Sequence, residues 1–270
     1  MPANEASEKI ARLAEGLAAG VREAGALALS MFGAPLKQWT KGASSPVSEA
    51  DIAVDNLLRE RLTAVDPAIG WLSEESADDP ARLTARLVWI VDPIDGTRGY
   101  IAGLPDWTVS AALVETGRPI AACLFAPATA EFFMAVAGRG ATRHGTAMHA
   151  TGGAELADIR VAGPKNFLER VSKIAPAFTV IPRIHSLALR LARVADGSID
   201  AAIAGGNSHD WDLAAADLLV HEAGGALTPL VGGPLTYNRA VPRHGMLVAA
   251  GNDRHAALVE LLNDPRLAAS

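Results

Sequence analysis

The apolar run Leu87-Val88-Trp89-Ile90-Val91 stops abruptly at Asp92, and two carboxylates, a glycine and a hydroxyl follow in Asp92-Pro93-Ile94-Asp95-Gly96-Thr97. A short apolar run bounded by Pro and Gly predicts a buried strand running into a tight turn. Any sheet that contains this strand must deliver two anions and a hydroxyl to one of its edges. Like charges held that close are costly unless a cation or a proton neutralises them. An isolated Asp-Pro-x-Asp also fits a polar turn whose Asp side chains cap the backbone, so the remainder of the chain has to decide.

The chain has 270 residues, half of them hydrophobic and a fifth charged, with a formal net charge of −6. That is enough apolar material for one large domain or two closely packed halves, and it argues against disorder. No basic block is present, so a nucleic-acid polymer is not an expected partner. An acidic protein that handles an anion needs local positive charge, and a bound metal ion is the simplest source. Cys123, the only cysteine, permits neither an intramolecular disulfide nor a thiolate zinc site. Met1 to Glu5 does not open a basic-then-apolar segment, and the most apolar stretch, 121–138, is broken by Pro127 and Glu131. Neither a signal peptide nor a membrane span is expected, and the sequence reads as a cytoplasmic protein.

Apolar residues at Ile10, Leu13, Leu17, Val21, Ala24, Leu27 and Met31 recur at three- and four-residue steps and predict a long first helix. A Gly-, Ser- and Pro-containing loop, 41–46, precedes a second helix that starts at Ser48 and stops at Asp66-Pro67. A short strand over 69–72 leads into Ser73-Glu74-Glu75-Ser76. From 107 to 137 three strands separated by turns predict an antiparallel meander. After residue 155, short apolar strands alternate with helical segments over 186–195, 211–223 and 254–263, which predicts a mixed α/β half. The division expected is therefore 1–154, carrying most of the acidic segments, and 155–270, carrying the last.

Four segments place carboxylates at the ends of regular elements: Asp51, Glu74-Glu75, Asp92 with Asp95, and Asp210 with Asp212. Each has a plain structural reading. Ser48 and Asp51 form a capping box, Glu74-Glu75 fits a solvated turn, and acids at 210 and 212 suit a helix N-terminus. Taken together, in this order and spacing, they resemble the inositol monophosphatase superfamily of metal-dependent phosphatases. The resemblance rests on Lys41 to Asp51 with Ser-Pro-Val-Ser-Glu-Ala-Asp, on Ser73-Glu74-Glu75-Ser76, on Asp92 to Thr97, and on Trp211-Asp212-Leu213-Ala214-Ala215.

That resemblance implies an α+β fold, a layered αβαβα sandwich with an N-terminal antiparallel sheet, long helices and a mixed C-terminal half, assembled as a homodimer. It implies that Glu74, Asp92, Asp95, Asp212 and the Ile94 carbonyl hold two or three Mg²⁺ ions. An all-oxygen donor set suits that hard cation and disfavours zinc. It also implies that Thr97, paired with Glu74, orients and deprotonates the attacking water, with Asp51 behind it as an acceptor. Gly96 and Thr97 would cradle the phosphate through backbone N–H groups, and Lys41 and His185 would contact the substrate. The expected activity is Mg²⁺-dependent hydrolysis of a small phosphorylated metabolite by direct in-line attack of water.

Two other classes stay in view. Asp95-Gly96-Thr97 echoes the nucleophile motif of haloacid-dehalogenase phosphatases, but the two Asp residues stand three apart rather than two and the later Asp pair is missing. A non-catalytic homologue that only binds a phosphorylated ligand would need a defect that no residue here shows. Within the family, inositol-selective relatives carry a Glu shortly before the last metal Asp, where this chain has Ala204-Gly205-Gly206-Asn207-Ser208. The expected substrate order is therefore a 3′(2′),5′-bisphosphate nucleotide, then inositol 1-phosphate, then histidinol phosphate.

Overall fold

A computed structural model describes residues 3–41 and 45–268. The first helix, α1 (Ala3–Met31), is followed by a hairpin of β1 (Gln38–Lys41) and β2 (Ser45–Ser48), then α2 (Glu49–Val65). Sequence reading treated 41–46 as loop, because these strands are short and polar and lack an apolar alternation; residues 42–44 lie outside the described residues. Next come β3 (Gly70–Ser73), β4 (Leu87–Asp95), the short α3 (Thr97–Ile101), and the meander β5 (Thr108–Glu115), β6 (Arg118–Ala126) and β7 (Glu131–Val136). Two small strands, β8 (Ala141–Arg143) and β9 (Thr146–Ala147), complete a seven-stranded sheet in chain order. It is antiparallel from β4 onward, with β3 added parallel to β4.

The C-terminal half contains β10 (Arg160–Ala162), α4 (Lys165–Val171), β11 (Thr179–Val180), α5 (Leu187–Ala195), β12 (Ala201–Ala204), β13 (Ser208–His209) and α6 (Asp210–Glu222). It closes with β14 (Gly225–Pro229), β15 (Arg243–His244), β16 (Leu247–Gly251), α7 (Asn252–Leu262) and α8 (Pro265–Ala268). Its five-stranded sheet runs β11-β10-β12-β16-β14, parallel across the first three strands and antiparallel across the last three. The mixed sheet agrees with the alternation read from sequence. β14 and α4 were missed, since a stretch such as Gly-Ala-Leu-Thr-Pro has no period to find.

The layering follows from the two-residue period of the strands. On β4, Trp89 and Val91 pack with Leu13, Leu17, Val21, Val54, Leu58 and Leu62 of α1 and α2. Val88 and Ile90, on the opposite face, pack with Leu189, Leu191, Leu213 and Leu219 of α5 and α6. Those helices meet Ala202, Ala204, Leu247 and Ala249 of the second sheet, whose far face carries Ile203 and Val248 against α4 and α7. The order is helices, sheet, helices, sheet, helices, an αβαβα sandwich. Each fully buried Leu contributes on the order of 1.5–3 kcal/mol, and α5 and α6 are apolar enough to fill a layer between two sheets. No described helix is long and apolar enough to cross a membrane.

Candidate metal centre and active site

β4 does not stop at Val91 as the sequence suggested; it continues to Asp95 through an irregularity opposite β5. Asp92 pairs with Ser110 and Asp95 with Thr108, so three steps on β4 face two on β5. In a regular strand, residues three apart point to opposite faces. The extra residue, absorbed as a bulge at Pro93-Ile94, re-aims the strand so that both carboxylates serve one site. Gly96 then takes φ +93° and turns the chain into α3. A side chain there would be strained, and its Cβ would fall 2.9 Å from the Ser186 backbone nitrogen. Asp212 joins from the other half, in the first turn of α6. Ligand oxygens of Asp92, Asp95 and Asp212 all lie within 4.8 Å of one another.

The three carboxylates share a cavity of about 310 Å³ with Glu74, Ile94, Gly96, Thr97 and His185, along with Arg98, Arg183 and Pro46. Two of the three are held from behind. Asp95 Oδ2 accepts hydrogen bonds from Ser186 Oγ at 2.5 Å and the Ala188 backbone nitrogen at 2.6 Å. Asp212 Oδ2 accepts from the His209 backbone nitrogen at 2.6 Å. Asp92 is buried, and its Oδ1 has no hydrogen-bond partner. A buried carboxylate oxygen left unpartnered is expensive, and a cation is the partner that both it and its neighbours lack.

The same conclusion comes from the acidities. Burial pushes the Glu74 carboxyl up to about 8, with the negative charges of Asp212 and Glu75 adding to the rise. Asp95 is pushed up to about 7, first by burial and then by Asp212, against the lowering effect of Ser186. Asp92 rises well above the ordinary range through burial and the charges of Glu74, Asp95 and Asp212. Without a cation the cluster holds protons at neutral pH; a divalent ion replaces them. The donors are all oxygens, which suits magnesium.

Thr97 and Asp51 also come together. Thr97 Oγ1 lies 3.2 Å from Asp51 Oδ1 and 3.0 Å from the Ile94 carbonyl oxygen, so its one proton serves one of the two at a time. Asp51 Oδ2 accepts from the Ser48 backbone nitrogen at 2.8 Å and Ser48 Oγ at 2.6 Å. The capping box and the acceptor role therefore coexist on one side chain, one oxygen for each. Burial raises the pKa of Asp51 against these hydrogen bonds, which lower it.

Lys41, expected near the substrate, bonds the turn that carries Glu74. Its Nζ donates to the Glu74 carbonyl and to Glu75 Oε2, both at 2.7 Å, and it is not among the residues lining the cavity. It braces the turn that presents Glu74. Asp55, which the sequence reading passed over, braces the same turn: Ser73 Oγ and Ser76 Oγ donate to its two oxygens, each at 2.5 Å. Its position one helical turn after Asp51 was the available signal. Asp106, Ser186, Arg183 and Arg190 were also missed. They sit on loop and helix starts where spacing carries no pattern.

A second cleft of about 760 Å³ continues from the first, sharing Arg183 and Asp212 and adding Lys165, Arg190 and the 204–208 segment. Among the described residues, Asp212 is the only carboxylate lining it. Arg190 is tied down by the Ile203 and Ile184 carbonyls at 3.2 and 3.1 Å, whereas Arg183 is exposed. His244 Nε2 lies 2.7 Å from Asp210 Oδ1. Asp210 also accepts from the Asn238 backbone nitrogen at 2.6 Å, so it anchors the loop beside α6 rather than entering the site.

A family profile described as the inositol monophosphatase family matches residues 7–265. A 3′(2′),5′-bisphosphate nucleotidase of Aggregatibacter actinomycetemcomitans is 34% identical over 213 residues, 74% of this chain and 77% of that protein. An inositol-1-monophosphatase of Rhizobium meliloti (strain 1021) is 32% identical, covering 83% and 85%. A histidinol-phosphatase of Mycobacterium tuberculosis is 34% identical, covering 86% and 90%. Among solved structures, the extragenic suppressor protein suhB from Bartonella henselae superposes with a TM-score of 0.82 at 27% identity, covering 93% of this chain and 98% of that one.

Proposed function

The chain belongs to the inositol monophosphatase family and is a metal-dependent hydrolase of phosphoric monoesters, and from that premise we propose that its preferred substrate is a 3′(2′),5′-bisphosphate nucleotide. The observation that supports this reading is the charge of the cleft beyond the acidic cluster. Lys165, Arg183 and Arg190 line it, and Asp212 at its mouth is its one carboxylate. A leaving group with a phosphate of its own is complementary to such a wall. Histidinol phosphate would bring a cationic amine to the same wall. Inositol phosphate would bring only hydroxyls, and the 204–208 segment has no acid to accept from them. At about 760 Å³ the cleft is in the range that encloses a nucleoside-sized group.

In this reading Glu74, Asp92, Asp95, Asp212 and the Ile94 carbonyl hold two or three Mg²⁺ ions. When bound, those ions neutralise the phosphoryl oxygens, activate water and stabilise the departing alkoxide. The protein does the rest. Thr97, with Asp51 accepting from its hydroxyl, aligns the water with the phosphorus, and Glu74 takes the water's proton. Backbone N–H groups at Gly96 and Thr97 receive the phosphate, which Gly96 lets approach closely. His185 and Arg183 face the organic half. Ser186 and Asp55 keep Asp95 and Glu74 in place.

The test is phosphate release with Mg²⁺ from adenosine 3′,5′-bisphosphate, inositol 1-phosphate and histidinol phosphate in parallel. We expect kcat/KM for the bisphosphate to exceed the other two by about a hundredfold, worth ~2.7 kcal/mol of differential transition-state binding. A preference for either of the other esters overturns the assignment.

A further inference from the structure

His185 is held in a way that simple contact with substrate does not require. Its backbone nitrogen donates to Asp106 Oδ2 at 2.6 Å, and its ring Nδ1 lies 2.8 Å from the same oxygen. Asp106 belongs to the loop before β5 and His185 to the residue before the Ser186 cap of α5, so the pair bridges the two halves of the chain. The next residue repeats the bridge: Ser186 N donates to the Asp106 carbonyl at 3.1 Å, and Ser186 Oγ donates to Asp95. Below the ring, α3 supplies Gly99, where a Cβ would fall 2.9 Å from the Cβ of His185. The ring is thus fixed in direction by a carboxylate and fixed in depth by a glycine.

A carboxylate only accepts, so Nδ1 carries a proton and Nε2 is the remaining ring atom for chemistry. The ring lines the same cavity as Asp95, Gly96, Thr97 and Asp212. Hydrolysis of an alkyl phosphate expels an alkoxide, which needs a proton as the bond breaks. We propose that His185, oriented by Asp106, is the acid that protonates the leaving group. Water forms the new P–O bond while the P–O bond to the organic group breaks. Its electron pair passes to the ester oxygen, which takes the proton from Nε2 of the imidazolium. The ring is left neutral, keeping its Nδ1–H hydrogen-bonded to Asp106, and regains a proton at Nε2 from solvent after alcohol and inorganic phosphate depart. The inference rests on hydrolysis of phosphoric monoesters and not on which ester is preferred, so a substrate panel that overturned the nucleotide reading would leave it standing.

The experiment compares wild type, His185→Gln and Asp106→Asn on glycerol 2-phosphate, phenyl phosphate and p-nitrophenyl phosphate, with Mg²⁺. General acid catalysis contributes about 10²–10⁴-fold where it is needed, and a nitrophenolate leaves without a proton. We expect His185→Gln to lower kcat on the glycerol ester by about 10²-fold or more and on the nitrophenyl ester by less than about threefold. Dependence of log kcat on leaving-group basicity would steepen accordingly. Asp106→Asn should show the same pattern with a smaller loss. Inorganic phosphate affinity and melting temperature of each variant report whether the site is intact. Equal losses on the alkyl and nitrophenyl esters, or an unchanged rate on the alkyl ester, would overturn the proposal.

Discussion

The two ends of β4 treat charge in opposite ways. At the Leu87 end, a cavity of about 330 Å³ lined by Ile10, Leu13, Ile69 and Ile120 is rimmed by acids that each have a cation. Lys9 lies 3.2 Å from Asp66, and Arg86 lies 2.9 Å from Glu115. At the Asp95 end, Asp92, Asp95 and Asp212 converge; a hydroxyl and backbone N–H groups brace Asp95 and Asp212, and the ring of His209 stands 3.8 Å from Asp212. One end is neutralised by the chain itself. The other keeps its repulsion, and an arrangement that persists against its own electrostatics is stabilised by what it binds.

The sharpest way to break this contrast is to remove charge at each end. Asp92→Asn should lower Mg²⁺-dependent kcat/KM by at least ~10³-fold, since a metal contributes several kcal/mol to the transition state. The same change should raise the melting temperature of the chelator-treated protein at pH 8, because it deletes a buried, repelled carboxylate. Glu115→Gln, at the paired end, should leave activity unchanged and alter stability by no more than ~1 kcal/mol. Full activity in Asp92→Asn, or a lower melting temperature in chelator, would mean that the cluster is structural.

A second test uses protons in place of mutations. Glu74, Asp95 and Asp92 have pKa values displaced upward, to about 8 and about 7 for the first two. In the unfolded chain the same groups release their protons near pH 4. Between those limits the folded, metal-free protein binds more protons than the unfolded one, so its stability falls as pH rises from about 4 to about 8. The chelator-treated protein should therefore melt higher at pH 5.5 than at pH 8. His221, raised by its bond to Asp217, pulls in the same direction, so the decisive arm is Mg²⁺. Saturating metal should shrink the difference, and titration calorimetry in buffers of different ionisation enthalpy should show protons released on binding. A pH difference that Mg²⁺ leaves intact would place its origin outside the cluster.

The same contrast explains what could be read from the sequence. Asp92, Asp95, Asp212, Glu74 and Thr97 stand at fixed spacings at the ends of apolar runs, so both the elements and the residues at their tips were legible. α1, α2 and the meander were legible because their apolar periods are long. The bulge at Pro93-Ile94 was not, since an irregular register depends on the partner strand as much as on local residues. Nor were Asp55, Asp106 and Ser186, whose role lies in partners 18 to 91 residues away. Lys41 shows the limit from the other side. Its charge and position near the acidic segments were legible, but only the fold shows that its ammonium is committed to Glu74 and Glu75.

The smallest expected effect concerns the cations that the Asp95 end does possess. Arg183 borders both clefts and is exposed. If its task is to receive a second phosphate, Arg183→Ala should act on choice rather than on chemistry. KM for adenosine 3′,5′-bisphosphate should rise by about three- to tenfold, the effect of one solvent-screened charge contact. kcat should hold within about twofold, and a substrate with a single phosphate should be unaffected because it leaves the arginine without a partner. The wild-type preference for the bisphosphate should also shrink as ionic strength rises, and the variant should lose much of that salt dependence. Equal loss on both substrates would assign Arg183 to the phosphate being cleaved and extend the unneutralised region to the whole β4 end. Selective loss keeps the division: carboxylates that gather the metal, and a cation beyond them that reads what the phosphate is attached to.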